Sequence, residues 1–299
     1  MADALNPVDI RNLTVRYGPK VALDAVSVFV PQGSVTALLG RNGAGKSSLI
    51  RCLLGQRRPE TGSISLFGDP AFEKRAALMA RIGVVPEEPD APPSMSALAL
   101  AAFSAPLYPR WDDTSFAKRL ARFDVPAGAP FGALSKGQKA QVMLALALAP
   151  QPDLLVLDDP TLGLDVAARK AVFEELVDEL SDRRTTILLT THDLAGVEGM
   201  ADRVGILKEG RLVLFEEMEA LKTRFRRLRF PREAGDAAAL APTLAPFRPS
   251  RVARSLGAVE AVVTAYDEDA VLGSATRPEI APLSLEEIFL AVTEKEVLS

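Results

Sequence analysis

Two groups of residues in this chain have types and spacing suited to phosphate chemistry. The first is GRNGAGKS, which runs Gly40, Arg41, Asn42, Gly43, Ala44, Gly45, Lys46, Ser47 and is followed by Ser48. It fits G-x-x-x-x-G-K-[ST] and lies between an apolar strand-like run (34–39) and a helix-like segment (46–54), the context that pattern requires. Glycines there let backbone N–H groups wrap a β-phosphate, and the helix N-terminus that follows favours an anion. Lys46 would reach the β- and γ-phosphates, and Ser47 would ligate Mg²⁺. The second group is LLVLDDPTLGLD at 154–165, an apolar strand ending on Asp158 with Asp159 directly behind it. An acid on a strand beside a phosphate loop holds the water shell of the metal, and Asp158 is placed for that.

These groups need a scaffold, and the rest of the chain supplies its parts. Residues 9–16 and 25–30 alternate or run apolar and are bounded by turn signals, Tyr17-Gly18-Pro19 and Pro31-Gln32-Gly33. Between 87 and 134 the composition shifts to Ala, Pro and Phe, with an amphipathic patch at 113–123, which predicts a helical insert reaching about 88–150. Past it a helix (139–149), a strand (154–157), a helix (166–180) and a strand (186–191) alternate, implying a mostly parallel sheet with helices on both sides. Val172, Phe173, Leu176, Val177 and Leu180 are predicted to share one helix face. Residues 203–214 read as a hairpin turning at Glu209-Gly210. Beyond Phe215 two strand-like runs, 225–230 and 259–266, flank an Ala/Pro-rich stretch at 233–249. A terminal helix is announced by a capping box, Ser284 with Glu287. The predicted division is therefore 1–215 and a small accessory domain, 216–299.

Bulk properties exclude several classes. The 299 residues are 48% hydrophobic and 25% charged, as in ordinary globular proteins. The net charge of −4 carries no nucleic-acid footprint. A local basic run, KTRFRRLRFPR at 222–232, reads equally as a solvated strand face or a binding surface. The single cysteine, Cys52, excludes an internal disulfide framework and points to a reducing compartment. The N-terminus lacks the pattern of a secretory signal, and no apolar run approaches the ~20 residues that span a bilayer. The expectation is a chain soluble by itself, whose membrane role would come through a partner.

Many phosphate-binding enzymes share the first two groups; Leu134-Ser135-Lys136-Gly137-Gln138, twenty positions before Asp158, narrows the choice. Here the chain resembles the ATP-binding cassette (ABC) ATPases, whose signature is similar to LSGGQ. The resemblance covers about 8–215. Tyr17 matches the aromatic residue that stacks on adenine, though a half-buried turn aromatic would read the same way. Glu87, in IGVVPEE, stands at a position usually held by glutamine. Leu162-Gly163-Leu164-Asp165 matches the loop following the metal acid, and His192, in LLTTHD, matches the switch histidine. Asp165 is equally an N-cap for the next helix.

The resemblance implies an α/β fold: a P-loop NTPase core of ABC type with an antiparallel β subdomain and a helical subdomain insert, plus a small C-terminal α+β domain. It implies ATP and Mg²⁺ as ligands, with Ser47, Asp158 and Glu87 toward the metal and Asp159, His192 and Glu87 toward catalysis. It further implies that a second cassette, in a homodimer or heterodimer, turns Ser135, Gly137 and Gln138 toward the γ-phosphate held by the first. Besides Glu87, two departures stand out. Lys136 replaces a glycine and adds a positive charge near the phosphate. Asp159 replaces a glutamate and is shorter by one methylene, about 1.5 Å, so slow but real hydrolysis is expected.

LYPRWDD at 107–113 and the terminal SLEEIFLAVT resemble export-type cassettes whose permease is a separate chain. The expected function is ATP binding and hydrolysis that power such a permease, with the chain peripheral on the cytoplasmic face of the membrane. The alternative is a regulatory or non-transport ABC protein in which ATP binding rather than fast hydrolysis is the signal. No nucleic-acid partner is expected, since the insert lacks the heptads of DNA-repair members and the chain carries one cassette, not two.

Overall fold

The computed structural model describes residues 6–231, 236–255, 258–272, 277–294 and 297–298. The chain divides into two compact units, 1–215 and 216–299.

The first unit begins with β1 (Val8–Tyr17) and β2 (Lys20–Val30), an antiparallel pair reversing at Gly18-Pro19. Inward residues alternate along β2, with Val26, Val28 and Val30 buried between exposed neighbours, the pattern of a sheet with one wet face. β3 (Val35–Leu39) is buried at every position and leads through the glycine-rich turn into α1 (Lys46–Leu53). β4 (Thr61–Leu66) and β5 (Asp69–Pro70) complete a four-stranded antiparallel sheet in the order β2-β1-β4-β5. After α2 (Arg75–Met79) and β6 (Ile82–Val85) come α3 (Ala97–Ser104), α4 (Asp113–Arg122) and α5 (Lys136–Leu148), the helical insert.

The chain returns to the main sheet with β7 (Leu154–Asp158), α6 (Val166–Arg183), β8 (Thr186–Thr191), α7 (Leu194–Glu198) and the hairpin β9 (Arg203–Lys208) and β10 (Arg211–Glu217). The sheet runs β10-β9-β3-β8-β7-β6, and the four pairings from β9 to β6 are parallel. Its central strands are buried on both faces, as helices on either side require. Leu49 and Leu53, one turn apart on α1, pack with Val156, Leu188 and Leu23 in a single core. Burying each such leucine contributes about 1.5–3 kcal/mol.

Two helices differ from the sequence expectation. α5 starts at Lys136 rather than Lys139. Ser135 accepts a hydrogen bond from the Gln138 N–H (3.1 Å) while the Gln138 side chain accepts one from the Ser135 N–H (3.0 Å). This reciprocal cap carries the helix through Gly137 despite its entropic cost. On α6 the buried stripe is Val172, Glu175, Leu176 and Glu179, and Val177 lies exposed. Both glutamates are buried because Arg119 of α4 reaches them, Nε to Glu175 at 2.5 Å and Nη2 to Glu179 at 2.7 Å.

The second unit contains α8 (Met218–Arg224), β11 (Arg226–Phe230), α9 (Ala237–Leu244), β12 (Pro249–Ser255), β13 (Ala258–Val263), α10 (Glu268–Leu272), β14 (Glu279–Pro282), α11 (Leu285–Thr293) and β15 (Val297–Leu298). Its sheet runs β14-β11-β13-β12-β15 around a core of Leu228, Phe230, Leu244, Phe247 and Val263. The Ala/Pro-rich stretch is largely helical, with α9 capped by Asp236; residues 233–235 lie outside the described residues. Ser284 and Glu287 form the expected capping box on α11.

Arginines of the basic run pair with acids of their own unit. Arg224 donates to Glu216 at 2.6 and 2.8 Å, Arg227 binds Glu287, and Arg229 lies 3.7 Å from Glu260. Arg232, the last member, lies outside the described residues. Among the described residues no helix is long and apolar enough to cross a membrane.

Candidate functional site

The turn between β3 and α1 bends on glycines with left-handed backbones, Gly43 (φ 81°) and Gly45 (φ 112°). At Gly45 only glycine fits twice over: a Cβ there would lie 2.6 Å from the Ala22 carbonyl oxygen and 2.7 Å from Leu23 Cδ2. Such contact packs the glycine turn tightly against β2. Lys46 follows, 8% exposed, its Nζ donating to the Gly40 carbonyl oxygen at 2.6 Å. No carboxylate pairs with it among the described residues. A buried ammonium satisfied by one carbonyl is costly unless an anion joins it.

Beside the turn is a concavity of about 460 Å³. Asn42, Gly43, Ala44, Gly45, Lys46, Ser47 and Ser48 line it, together with Tyr17, Glu87, Asp158 and Asp159. Parallel strands bring these groups together: β7 and β3 both flank β8, so their C-terminal ends open on one edge of the sheet, where α/β proteins collect ligands. Asp158 accepts a hydrogen bond from Thr190 Oγ1 at 2.5 Å. Asp159 is buried at φ 48°, a left-handed conformation in which Asp is several-fold enriched. Its N–H donates to the Thr190 carbonyl (2.9 Å), and its Oδ2 lies 2.7 Å from His192 Nδ1. Glu87 stands exposed in the turn after β6. Tyr17 is half-exposed, with the Arg57 guanidinium 4.0 Å over its ring centroid.

The remaining expected site residues stand outside this concavity. Gly40 and Arg41 belong to the turn but do not line it, and His192 reaches it only through Asp159. Ser135 and Gly137 are at the start of α5, and the Gln138 side chain is engaged in the cap described above. Asp165 caps α6 through the Ala168 N–H at 2.8 Å. The two caps neighbour each other, since a Cβ on Gly137 would lie 3.1 Å from Ala168 Cβ. The Lys136 ammonium rests over the backbone of Gly163, 2.5 Å from where a Cβ would be.

Comparison with known proteins places these features in a family. Residues 23–162 match the family model described as ABC transporter. The Nod factor export ATP-binding protein I of Burkholderia orbicola (strain AU 1054) is 38% identical over 222 residues, covering 69% of this chain and 69% of that protein. The chain belongs to the ABC transporter family. Among solved structures, an ATP-binding subunit of an ABC transporter superposes with a TM-score of 0.66 at 27% identity, covering 73% of this chain and 92% of that one. CbiO1 of Clostridium perfringens, described as part of the ABC transporter complex cbiONQ, gives a TM-score of 0.63 at 29% identity over 72% and 90%.

Sequence reading of this ABC cassette missed several residues at the site. Lys20, Ala22 and Arg51 also line the concavity. Thr190 and Thr191 end β8, are buried, and donate to Asp158 and Asp159 respectively, the latter at 3.4 Å. Two hydroxyls closing a buried strand one residue before His192 were the available signal. Arg57 carried none, because its stacking on Tyr17 is a tertiary contact.

Proposed function

We propose that this chain binds ATP with Mg²⁺ at the Gly40–Ser47 turn and hydrolyses it slowly. In this reading two copies clamp two nucleotides head to tail and drive a separate-chain membrane permease in the direction of export. One observation carries the nucleotide site: a buried lysine with no carboxylate partner among the described residues faces the same concavity as Ser47, Asp158, Asp159 and Glu87. That set suits a polyphosphate with its metal. Ser47 and Asp158 would hold Mg²⁺ with Glu87 nearby, and the metal would neutralise charge shared by the β- and γ-phosphates. Lys46 would exchange the Gly40 carbonyl for a phosphate oxygen. Tyr17 would offer adenine the ring face that Arg57 leaves open.

Asp159 would accept a proton from the attacking water, directly or through one intervening water. His192 steadies that carboxylate through Nδ1 and directs Nε2 elsewhere, toward the γ-phosphate in this reading. The exposed Ser135 and the partly buried Gly137 lie outside the concavity of their own chain, so a second copy is the natural source of the loop that closes the site. One chain carries both halves, so two copies suffice. The export direction leans on the relative named for Nod factor export, and the permease on CbiO1 being described as part of a transporter complex.

A second reading, in which ATP binding itself is the signal, draws on the short Asp159 side chain and its engagement with His192. Steady-state ATP turnover of wild type, Lys46→Ala and Asp159→Asn tests both. The main reading expects measurable turnover lost in both variants. ATP binding without turnover supports the second reading, and absence of ATP binding overturns both.

A further inference from the structure

A second concavity, about 640 Å³, lies within the first unit at the opposite end of the main sheet. Asp153 and Thr186 mark its floor, at the N-terminal ends of β7 and β8. The C-terminal ends of the same strands hold Asp158 and Thr190. Five residues of strand separate the two ends, about 17 Å, so this is not an extension of the nucleotide site.

Its lining is strongly cationic for a protein whose net charge is −4. Four arginines, Arg81, Arg110, Arg183 and Arg184, face it with one carboxylate, Asp153. Arg81 and Arg110 both donate to Asp153, at 2.6 and 2.8 Å, which leaves most of their ten donors unmet by that acid. Arg183 approaches Asp112 and Glu179 only at 3.9 and 3.7 Å, beyond hydrogen-bonding distance. Arg184 forms no ion pair among the described residues. Its backbone is fixed: it caps the C-terminus of α6 in a left-handed conformation (φ 53°), and a Cβ on the neighbouring Gly33 would lie 3.4 Å from its carbonyl oxygen. Arg81 is likewise fixed, its guanidinium 3.8 Å over the Phe67 ring centroid.

We propose that this concavity binds a phosphate-bearing anion of small-molecule size, held by Arg184, Arg183 and the outward donors of Arg81 and Arg110. The volume falls within the ~300–1,000 Å³ of small-molecule sites. Planar guanidiniums suit the bidentate recognition of phosphate. Asp153 serves as the brace that orients two of the four cations and keeps them from folding away when the anion is absent.

The test uses the full-length chain with its nucleotide site saturated by a non-hydrolysable Mg–ATP analogue, titrated with inorganic pyrophosphate. Trp111, the single tryptophan, adjoins Arg110 and reports binding by fluorescence. A parallel arm measures sedimentation with phosphatidylcholine vesicles containing phosphatidic acid. The proposal expects saturable binding of one or the other probe, weakened about tenfold by Arg184→Asn and by Arg110→Gln. Asn tolerates the left-handed backbone at 184, so this variant keeps the fold. Lys46→Ala, assayed without the analogue, should leave the response unchanged. A response to pyrophosphate assigns the site to a free phosphorylated molecule; a response to the vesicles alone assigns it to a lipid headgroup. Binding of neither probe at about 1 mM, binding indifferent to Arg184 and Arg110, or binding lost in Lys46→Ala would overturn the proposal.

Discussion

Asp159 and His192 are hydrogen-bonded in this chain, Oδ2 to Nδ1 at 2.7 Å, with the carboxylate buried and the imidazole half-exposed. An ionised Asp159 makes Nδ1 the donor, which leaves Nε2 of a neutral ring as an acceptor. Nε2 then donates to a phosphate oxygen only as the imidazolium. The hydrogen bond thus ties the orientation of the proposed base to that of the proposed phosphate contact.

Substitution of this pair gives the first prediction. Asp159→Asn and His192→Ala should each lower ATP turnover by about 10²–10⁴, the range of general-base catalysis. Their combination should cost less than the product of the single effects, because they act as a unit. Asp159→Glu lengthens the reach by one methylene and should raise turnover. It also puts a less tolerant residue at φ 48°, costing about 1 kcal/mol in stability. Phosphate release and urea unfolding measure the two effects.

A second prediction concerns the buried ion network between α4 and α6. Arg119, Glu175 and Glu179 have side chains only 9%, 6% and 2% exposed. Arg119→Met should destabilise the first unit by about 3 kcal/mol, because it leaves buried Glu175 with only the partly exposed Arg122 (3.1 Å) and Glu179 with Arg183 no nearer than 3.7 Å. Adding Glu175→Gln and Glu179→Gln should recover part of that loss. The urea midpoint of the first unit is the readout.

Cys52 supplies a third. It is fully buried on α1, and burial pushes its thiol up to about 11 against the opposing pull of Arg57. A thiol both inaccessible and protonated is inert. A disulfide reagent such as Ellman's at neutral pH should leave the native chain unmodified and titrate one thiol per chain in denaturant.

Acid stability gives the fourth. Burial raises the Asp153 carboxyl, but hydrogen bonds from Arg110 and Arg81 outweigh it and hold the group below the usual carboxylate range. A depressed folded pKa contributes stability that is present above the unfolded pKa, about 4, and is lost as pH falls through the folded value. Asp153→Asn should therefore be less stable than wild type at pH 7, with the gap closing below about pH 4. Thermal melts of both proteins across pH 3–7 measure it, and a gap that widens in acid would refute the assignment.

How legible these features were in the sequence depended on whether the physics is local. The glycine turn, the strand ending at Asp158 and the Ser284–Glu287 cap are each written within a few neighbouring residues, and the structure has them where the pattern put them. The start of α5 was equally local: Ser135 and Gln138 spell a capping box, a signal that the expected start at Lys139 left unused. The buried face of α6 was not local. Apolar periodicity selected Val177 over Glu175, because nothing near Glu175 announces an arginine arriving from 56 positions earlier. The second concavity was invisible for the same reason, its arginines being scattered from 81 to 184 and joined only by the sheet.

The central claim, that each nucleotide is closed in by the Ser135 loop of a second copy, is tested most directly by mixing two inactive variants. Lys46→Ala removes the phosphate contact and Ser135→Arg blocks the loop, so each alone should lack turnover. In a mixed dimer one site combines the intact turn of the Ser135→Arg chain with the intact loop of the Lys46→Ala chain. The account predicts that an equimolar mixture recovers about a quarter of the wild-type rate, as random two-fold pairing gives. A mixture as inactive as its components, with both variants shown to pair, would contradict it.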